Sequence, residues 1–126
     1  MYLIDSSVYI DALRSGEDPV RIFAVEFEMG LLFTCGVVTC EVLRGVRDTR
    51  IFDRMESFFG LIHTIEFDEA LWRASYLLAW KLDRGGSVLP LSDILIASAA
   101  LRENATLITV DKHFESIPEL DIRSNI

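Results

Sequence analysis

Residues 2–8 read YLIDSSV, an apolar strand-like run that ends in an acidic residue and is followed at once by hydroxyl residues suited to starting a helix. Near the other end of the chain, residues 107–114 read LITVDKHF and repeat the pattern of strand and then acid. Between these stretches, apolar runs of strand length alternate with helical patterns. Such alternation predicts a single α/β domain over residues 1–126, a three-layer α/β/α sandwich with a mostly parallel central sheet.

Four acidic residues lie where a strand-like run gives way to a helix or a turn. They are Asp5, Glu41, Asp93 and Asp111. Because the carboxyl ends of parallel strands meet at one edge of a sheet, we expect these side chains to gather there. Crowded carboxylates repel and raise one another's pKa unless a cation intervenes. Mg²⁺ and Mn²⁺ prefer oxygen ligands, so the pattern predicts that the four residues bind one of these ions.

Caps, glycines and apolar spacing predict the individual elements. Strands are expected at residues 1–5, 31–37, 61–67, 106–110 and 120–123. Helices are expected from Ser6 or Ser7 to Gly16, from Thr39 for a short distance, and over residues 18–30, 48–59, 69–84 and 92–103. In these helices Thr39 is expected to be a cap with Glu41 in the first turn, and Asp68 is expected to cap the longest helix.

Composition narrows the class of protein. The 51% content of hydrophobic residues is slightly above average and predicts a covered interface, hence an oligomer or a bound partner. The net charge of −8 argues against broad binding to duplex nucleic acid, but it permits an enzyme that meets phosphate through metal ions.

No apolar run approaches the ~18 residues of a membrane span and no signal-peptide pattern begins the chain, which predicts a cytoplasmic protein. Cys35 and Cys40 lack zinc-site spacing, so buried reduced thiols are expected rather than a disulfide.

Four motifs carry a resemblance to a known family. They are LIDSSV at residues 3–8, TCEVLRG at 39–45, LPLSDILIA at 89–97 and TVDKHF at 109–114. In this order and over the whole chain they resemble the motifs of PIN domains, and within that family the small VapC-type toxin ribonucleases of toxin–antitoxin pairs. Two positions depart from the usual pattern: Ser7 stands where relatives often carry Asn, and Val42 stands where Leu is commoner.

The resemblance implies an Mg²⁺- or Mn²⁺-dependent endoribonuclease that is a homodimer and is held inactive by a cognate antitoxin protein. The expected substrate is RNA, either tRNA or another structured RNA. Asp5, Glu41 and Asp93 would be catalytic ligands of one or two ions, and Asp111 would be a further or outer ligand. An ion there would lower the pKa of a water that attacks the phosphodiester.

Hydroxyl and basic residues near these acids have further expected roles. Ser6 and Thr109 would hydrogen-bond a carboxylate or a metal-bound water and hold the ligands in place, although capping or sheet packing explains Thr109 equally well. Arg44 and Arg47 follow Glu41 at helical spacing and could contact RNA. Salt bridges on the helix surface explain the two arginines equally well.

Several of these residues also have ordinary structural interpretations. Asp93 and Asp111, each taken alone, are more often helix caps than ligands. His113 is expected to be an exposed or packing histidine rather than an RNA contact. An aromatic stripe repeats at four-residue intervals and is more often core or a dimer face than a base-stacking surface. It consists of Trp72, Tyr76 and Trp80.

Two other functions are compatible with an α/β domain of this size. One is a catalytically silent PIN-like module that binds RNA or protein, against which the four intact acids argue. The other is a phosphate-handling or phospho-acceptor domain. That domain would need a lysine on a later strand or a second Asp two residues after Asp5, where this chain has Ser7.

Overall fold

Five strands form one sheet in the computed structural model, which describes all of residues 1–126. The strands are β1 Tyr2–Ile4, β2 Leu32–Cys35, β3 His63–Ile65, β4 Thr106–Ile108 and β5 Ile122–Arg123. Their order across the sheet is β3-β2-β1-β4-β5, and every neighbouring pair is parallel. Leu3 of the central strand pairs with Phe33 on one side and with Leu107 on the other. The predicted parallel sandwich is therefore confirmed, and the sheet is entirely parallel.

Seven α-helices and one 3₁₀ helix connect and cover the strands. The helices are α1 Ser6–Arg14, α2 Pro19–Ile22, α3 Ala24–Glu28, α4 Gly36–Leu43, α5 Thr49–Leu61, α6 Glu69–Arg84 and α7 Leu91–Arg102, and the 3₁₀ helix spans Lys112–Ser116. Asp68 accepts a hydrogen bond from the Leu71 amide at 2.8 Å, so the predicted cap of α6 is confirmed. No helix has both the length and the apolar character needed to cross a membrane.

The core lies between the sheet and its helices. Helix α7 is buried over eight consecutive residues from Asp93 to Ala100, and it packs against α6, α4 and β4. Three alanines of this helix are fully buried, which allows its backbone to approach its neighbours closely. On the other side of the molecule, the ring of Tyr9 meets that of Phe59 edge-on at 5.2 Å. Such aromatic pairs add roughly 0.5–1.5 kcal/mol beyond the area they bury.

The junction between β2 and α4 differs from the prediction. The strand ends at Cys35 and the helix begins at Gly36, so Thr39 is not a cap. Its hydroxyl instead donates to the Cys35 carbonyl one turn back, at 3.4 Å. Glu41 consequently lies in the second turn of α4 rather than the first. The cause is the apolar run after Cys35, because a short run of this kind fits a buried helix as well as a strand.

Smaller differences concern the ends of other elements. The helix predicted over residues 18–30 is two short helices that meet at Phe23. Helix α5 continues past Gly60, and β3 starts only at His63. Both cysteines are reduced, as predicted, but Cys40 is exposed and only Cys35 is buried.

Candidate metal centre and active site

Asp5 lies at the carboxyl end of the central strand and is 3% exposed. Its amide donates to the Ile108 carbonyl at 2.8 Å, which extends the pairing of β1 with β4 by one residue. Two hydroxyls donate to the same carboxylate oxygen, Oδ2: Thr109 at 2.8 Å and Ser7 at 2.5 Å. These bonds fix the direction of the carboxylate, because the donors belong to two different elements.

Glu41 is held by a residue from a neighbouring helix. The Ser6 hydroxyl at the start of α1 donates to Oε1 of Glu41 at 2.9 Å. Since α1 and α4 pack against each other, this contact turns the longer Glu41 side chain back toward the end of β1.

His113 contacts both Asp93 and Asp111. Asp93 lies in the first turn of α7, whose N-cap is Pro90, so Asp93 does not cap the helix. Nδ1 of His113 is 3.1 Å from Oδ2 of Asp93 and 3.4 Å from Oδ1 of Asp111. Asp111 does cap, because its Oδ1 accepts the His113 amide at 2.8 Å and starts the 3₁₀ helix. The helix-cap interpretation is therefore wrong for Asp93 and right for Asp111.

The Asp93 carboxyl has a raised pKa. Burial is the main cause, since a carboxylate with only 12% of its side chain exposed has lost most of its water. The charges of Asp111 and Asp5 raise this pKa further, while the His113 hydrogen bond lowers it. The site is therefore one in which added negative charge is unfavourable and an added cation is favourable.

The four predicted acids share this edge but do not form one tight cluster. Possible ligand atoms of Asp93, Asp111 and His113 lie within 4.8 Å of one another, whereas Asp5 and Glu41 are outside that group. The Thr109 hydroxyl links two of the acids, since it donates to Asp5 and accepts the Asp111 amide at 3.0 Å. Burial raises the pKa of the Cys35 thiol, and the nearby charges of Glu41 and Asp5 raise it further.

Each of the four carboxylates keeps one oxygen without a hydrogen-bond partner in the protein. These oxygens are Oδ1 of Asp5, Oε2 of Glu41, Oδ1 of Asp93 and Oδ2 of Asp111. None is sealed from solvent, because the only buried side-chain polar atoms without a partner are the hydroxyls of Tyr9 and Thr34. A set of hard, accessible oxygens fits Mg²⁺ or Mn²⁺.

His113 and Ser7 contact the acids although the sequence analysis gave them no site role. Their signal in the sequence is their distance of two residues from an acid at a strand end, Asp111 or Asp5. In both cases a helix begins directly after the acid, and its first turn brings such a residue back onto the carboxylate. Arg44 and Arg47 are exposed and form no salt bridge, so the structure does not support their interpretation as surface ion pairs.

Comparison with known proteins decides the family. The family model described as PIN domain matches residues 2–120. The chain belongs to the PIN domain family. This PIN domain is 25% identical over 126 residues to Ribonuclease VapC2 of Rickettsia felis, covering 95% of this chain and 94% of that protein.

Solved structures share the fold of this PIN domain. VapBC2 of Rickettsia felis bound to a promoter DNA fragment superposes with a TM-score of 0.80 at 23% identity, covering 97% of this chain and 96% of that one. A toxin–antitoxin complex from Klebsiella pneumoniae superposes with a TM-score of 0.72 at 22% identity, covering 95% of each chain. The resemblance inferred from the four motifs is thereby confirmed at the level of the family.

Proposed function

We propose that this PIN domain is a metal-dependent endoribonuclease that acts as the toxin of a toxin–antitoxin pair. The observation that carries the proposal is the set of four carboxylates at one sheet edge, each with an accessible oxygen that no protein group engages. A binding module without catalysis would gain nothing from this crowding of like charges. The similarity to a VapC ribonuclease over nearly the whole chain supports the same activity.

The protein's own groups prepare the site for phosphodiester hydrolysis. Asp5, Glu41, Asp93 and Asp111 would hold Mg²⁺ or Mn²⁺, which would supply a Lewis acid to activate water and offset negative charge on the phosphate. Thr109 and Ser7 hold Oδ2 of Asp5, which fixes the carboxylate and leaves Oδ1 free to bind the ion without a search for the right rotamer. Ser6 does the same for Glu41.

The proposed substrate is RNA. Because the protein is acidic, it would contact the RNA phosphates mainly through the bound metal. Exposed basic residues beside the site supplement that contact, and Arg44 and Arg47, next to the end of α4, have no carboxylate partner to compete for them. A structured RNA such as tRNA suits a small, local basic surface better than a long duplex does.

The activity is tested with purified protein and total RNA. We expect cleavage with Mg²⁺ or Mn²⁺ and none with a chelator, and sequencing of the fragment ends identifies the cut sites. Asp5→Asn should reduce cleavage by orders of magnitude, whereas Asp11→Asn, an exposed acid on α1, should not. RNA binding without metal-dependent cleavage would instead favour the catalytically silent module.

This protein has a groove beside the site that suits a cognate antitoxin. A cavity of about 370 Å³ lies between α1, α4 and α5, with apolar walls that include Leu13, Val42 and Val46. Glu41 and Arg47 also line it, so its occupant would lie next to the metal centre. An amphipathic helix with basic residues fits an apolar groove that adjoins an acidic site. The toxin–antitoxin complex with the same fold supports such a partner.

This partner surface is tested by co-expression with the protein encoded next to the toxin. Val46→Asp should weaken the complex, because it buries a charge in the groove. Val88→Asp, at a 77% exposed position outside the groove, should leave the complex intact. Equal binding by both variants would show that the antitoxin docks elsewhere.

A further inference from the structure

Building on the proposed metal centre, we propose that His113 provides a nitrogen ligand to that centre and makes it select Mn²⁺ over Mg²⁺. The histidine lies outside the four acids that carry the proposed activity. Its ring is nevertheless in contact with two of them, through Nδ1 to Asp93 and to Asp111.

The chain holds the His113 ring in place from several directions. The His113 amide donates to Asp111, and its carbonyl accepts the Ser116 hydroxyl at 3.0 Å. The next residue, Phe114, is fully buried and anchors the 3₁₀ helix in the core. The backbone of this turn is therefore fixed on both sides, and the His113 side chain, which is 56% exposed, contacts the carboxylates of Asp93 and Asp111.

The distances agree with donors that share one ion. Adjacent ligands of an octahedral Mg²⁺ site, with bonds of 2.0–2.1 Å, lie about 2.8–3.0 Å apart. Nδ1 of His113 is 3.1 Å and 3.4 Å from the nearest oxygens of Asp93 and Asp111. Possible ligand atoms of Asp93, Asp111 and His113 all lie within 4.8 Å of one another, so one ion could reach all three side chains.

The donor chemistry favours one ion over the other. Mg²⁺ binds hard oxygen ligands and gains little from imidazole, whereas first-row transition ions accept nitrogen readily. Mn²⁺ is the member of that series that also prefers carboxylates. A site of carboxylates with one imidazole therefore favours Mn²⁺. The imidazole should account for most of the difference in binding affinity between Mn²⁺ and Mg²⁺.

The test compares metal binding rather than cleavage. Dissociation constants for Mn²⁺ and for Mg²⁺ are measured by titration calorimetry on the full chain, on His113→Asn and on His63→Asn. Asn at position 113 keeps a hydrogen-bond donor near the carboxylates but removes the imidazole. We expect Mn²⁺ binding to weaken on the order of tenfold or more with little change for Mg²⁺. His63 lies on edge strand β3 against Phe33, so its variant controls for loss of a histidine elsewhere.

A spectroscopic measurement identifies the ligand itself. Electron spin echo modulation of the Mn²⁺-loaded protein should show nitrogen coupling that is present in His63→Asn and absent in His113→Asn. The role of His113 would be overturned if His113→Asn weakened the binding of Mn²⁺ and of Mg²⁺ equally, or if the unaltered protein showed no nitrogen coupling. Either result would leave metal binding by the carboxylates possible. Failure of the unaltered protein to bind either ion would instead overturn the metal centre, and the inference with it.

Discussion

At the scale of single residues, short hydroxyl side chains decide where the acids point. Thr109 follows directly after β4 and reaches Asp5 at the end of β1, because those strands are neighbours in the sheet. Ser6 performs the same task for Glu41 between two helices. Asp93 has no hydroxyl donor of this kind, and its contacts are with His113.

Asp93→Asn should separate stability from metal binding. Without metal, the change removes one charge from a crowded site and costs no helix cap, since Asp93 is not the cap of α7. We therefore expect the free energy of unfolding to stay unchanged or to rise by about 1 kcal/mol. The rise in melting temperature on adding Mg²⁺ or Mn²⁺ should shrink, because an amide is a poor ligand for hard ions and stabilisation comes from binding to the native state. Thermal melts with and without metal measure both effects.

Asp83→Asn provides the matched control for that prediction, because Asp83 is an exposed acid on α6 with no ion pair. It should retain the full metal-induced shift. A clear loss of stability in metal-free Asp93→Asn, together with an unaltered metal response, would show that the carboxylate is structural.

At the scale of elements, one ion pair joins helices that are distant in sequence. Arg54 on α5 makes a bidentate contact with Asp18, the cap of α2: Nη2 donates to Oδ2 at 2.7 Å and Nε donates to Oδ1 at 3.2 Å. The same Asp18 carboxylate accepts the Val20 amide at 3.1 Å. The guanidinium of Arg54 is the main cause that holds the pKa of Asp18 below its usual range.

Arg54→Gln should lower the melting temperature slightly at neutral pH and not in acid. A carboxyl whose pKa is lower in the folded protein adds stability that is complete above the unfolded pKa of about 3.9 and is lost as pH falls through the folded value. The melting temperatures of the two proteins should therefore differ at pH 7 and converge as the pH falls through the lowered pKa of Asp18. A series of melts from pH 7 to pH 2 measures this difference. A gap that stays constant to the lowest pH would mean that packing of the arginine stem, and not the ion pair, stabilises the α2–α5 contact.

At the scale of the whole molecule, one aromatic surface is largely exposed to solvent. Trp72, Tyr76 and Trp80 of α6 are 50%, 60% and 58% exposed, so of the two expected roles, core and dimer face, the structure excludes core. Arg84 lies over the Trp80 ring at 5.0 Å. Aromatic residues and arginine are enriched in protein interfaces, so we propose that this surface forms a twofold contact between two copies.

The double change Trp72→Ser and Trp80→Ser should convert a homodimer into a monomer. The two substitutions remove most of the apolar area that a second copy would cover. The fold should be retained, because neither Trp72 nor Trp80 lies in the core. Light scattering at micromolar concentration measures the mass of each protein. Leu61→Ser, at a 73% exposed position on α5, is the control and should remain a dimer. A monomeric unaltered protein, or a dimeric double variant, would contradict this interface.

The sequence by itself determined the class of fold and the edge at which the acids meet. Apolar strand runs that end in Asp5 and Asp111 are local patterns, and parallel strands leave no other place for both ends. The cap Asp68 was equally readable, because a cap acts on amides two or three residues away.

Only the tertiary structure decided which side chains touch and which faces are covered. The run after Cys35 has no periodicity that separates strand from helix, so its burial against other elements settled where α4 begins. The contact of His113 with Asp93 joins a turn to a helix 20 positions earlier, and no local pattern encodes it. The exposure of the α6 aromatic stripe likewise depends on how α6 and α7 pack, since an amphipathic pattern shows that a face is apolar but not what covers it.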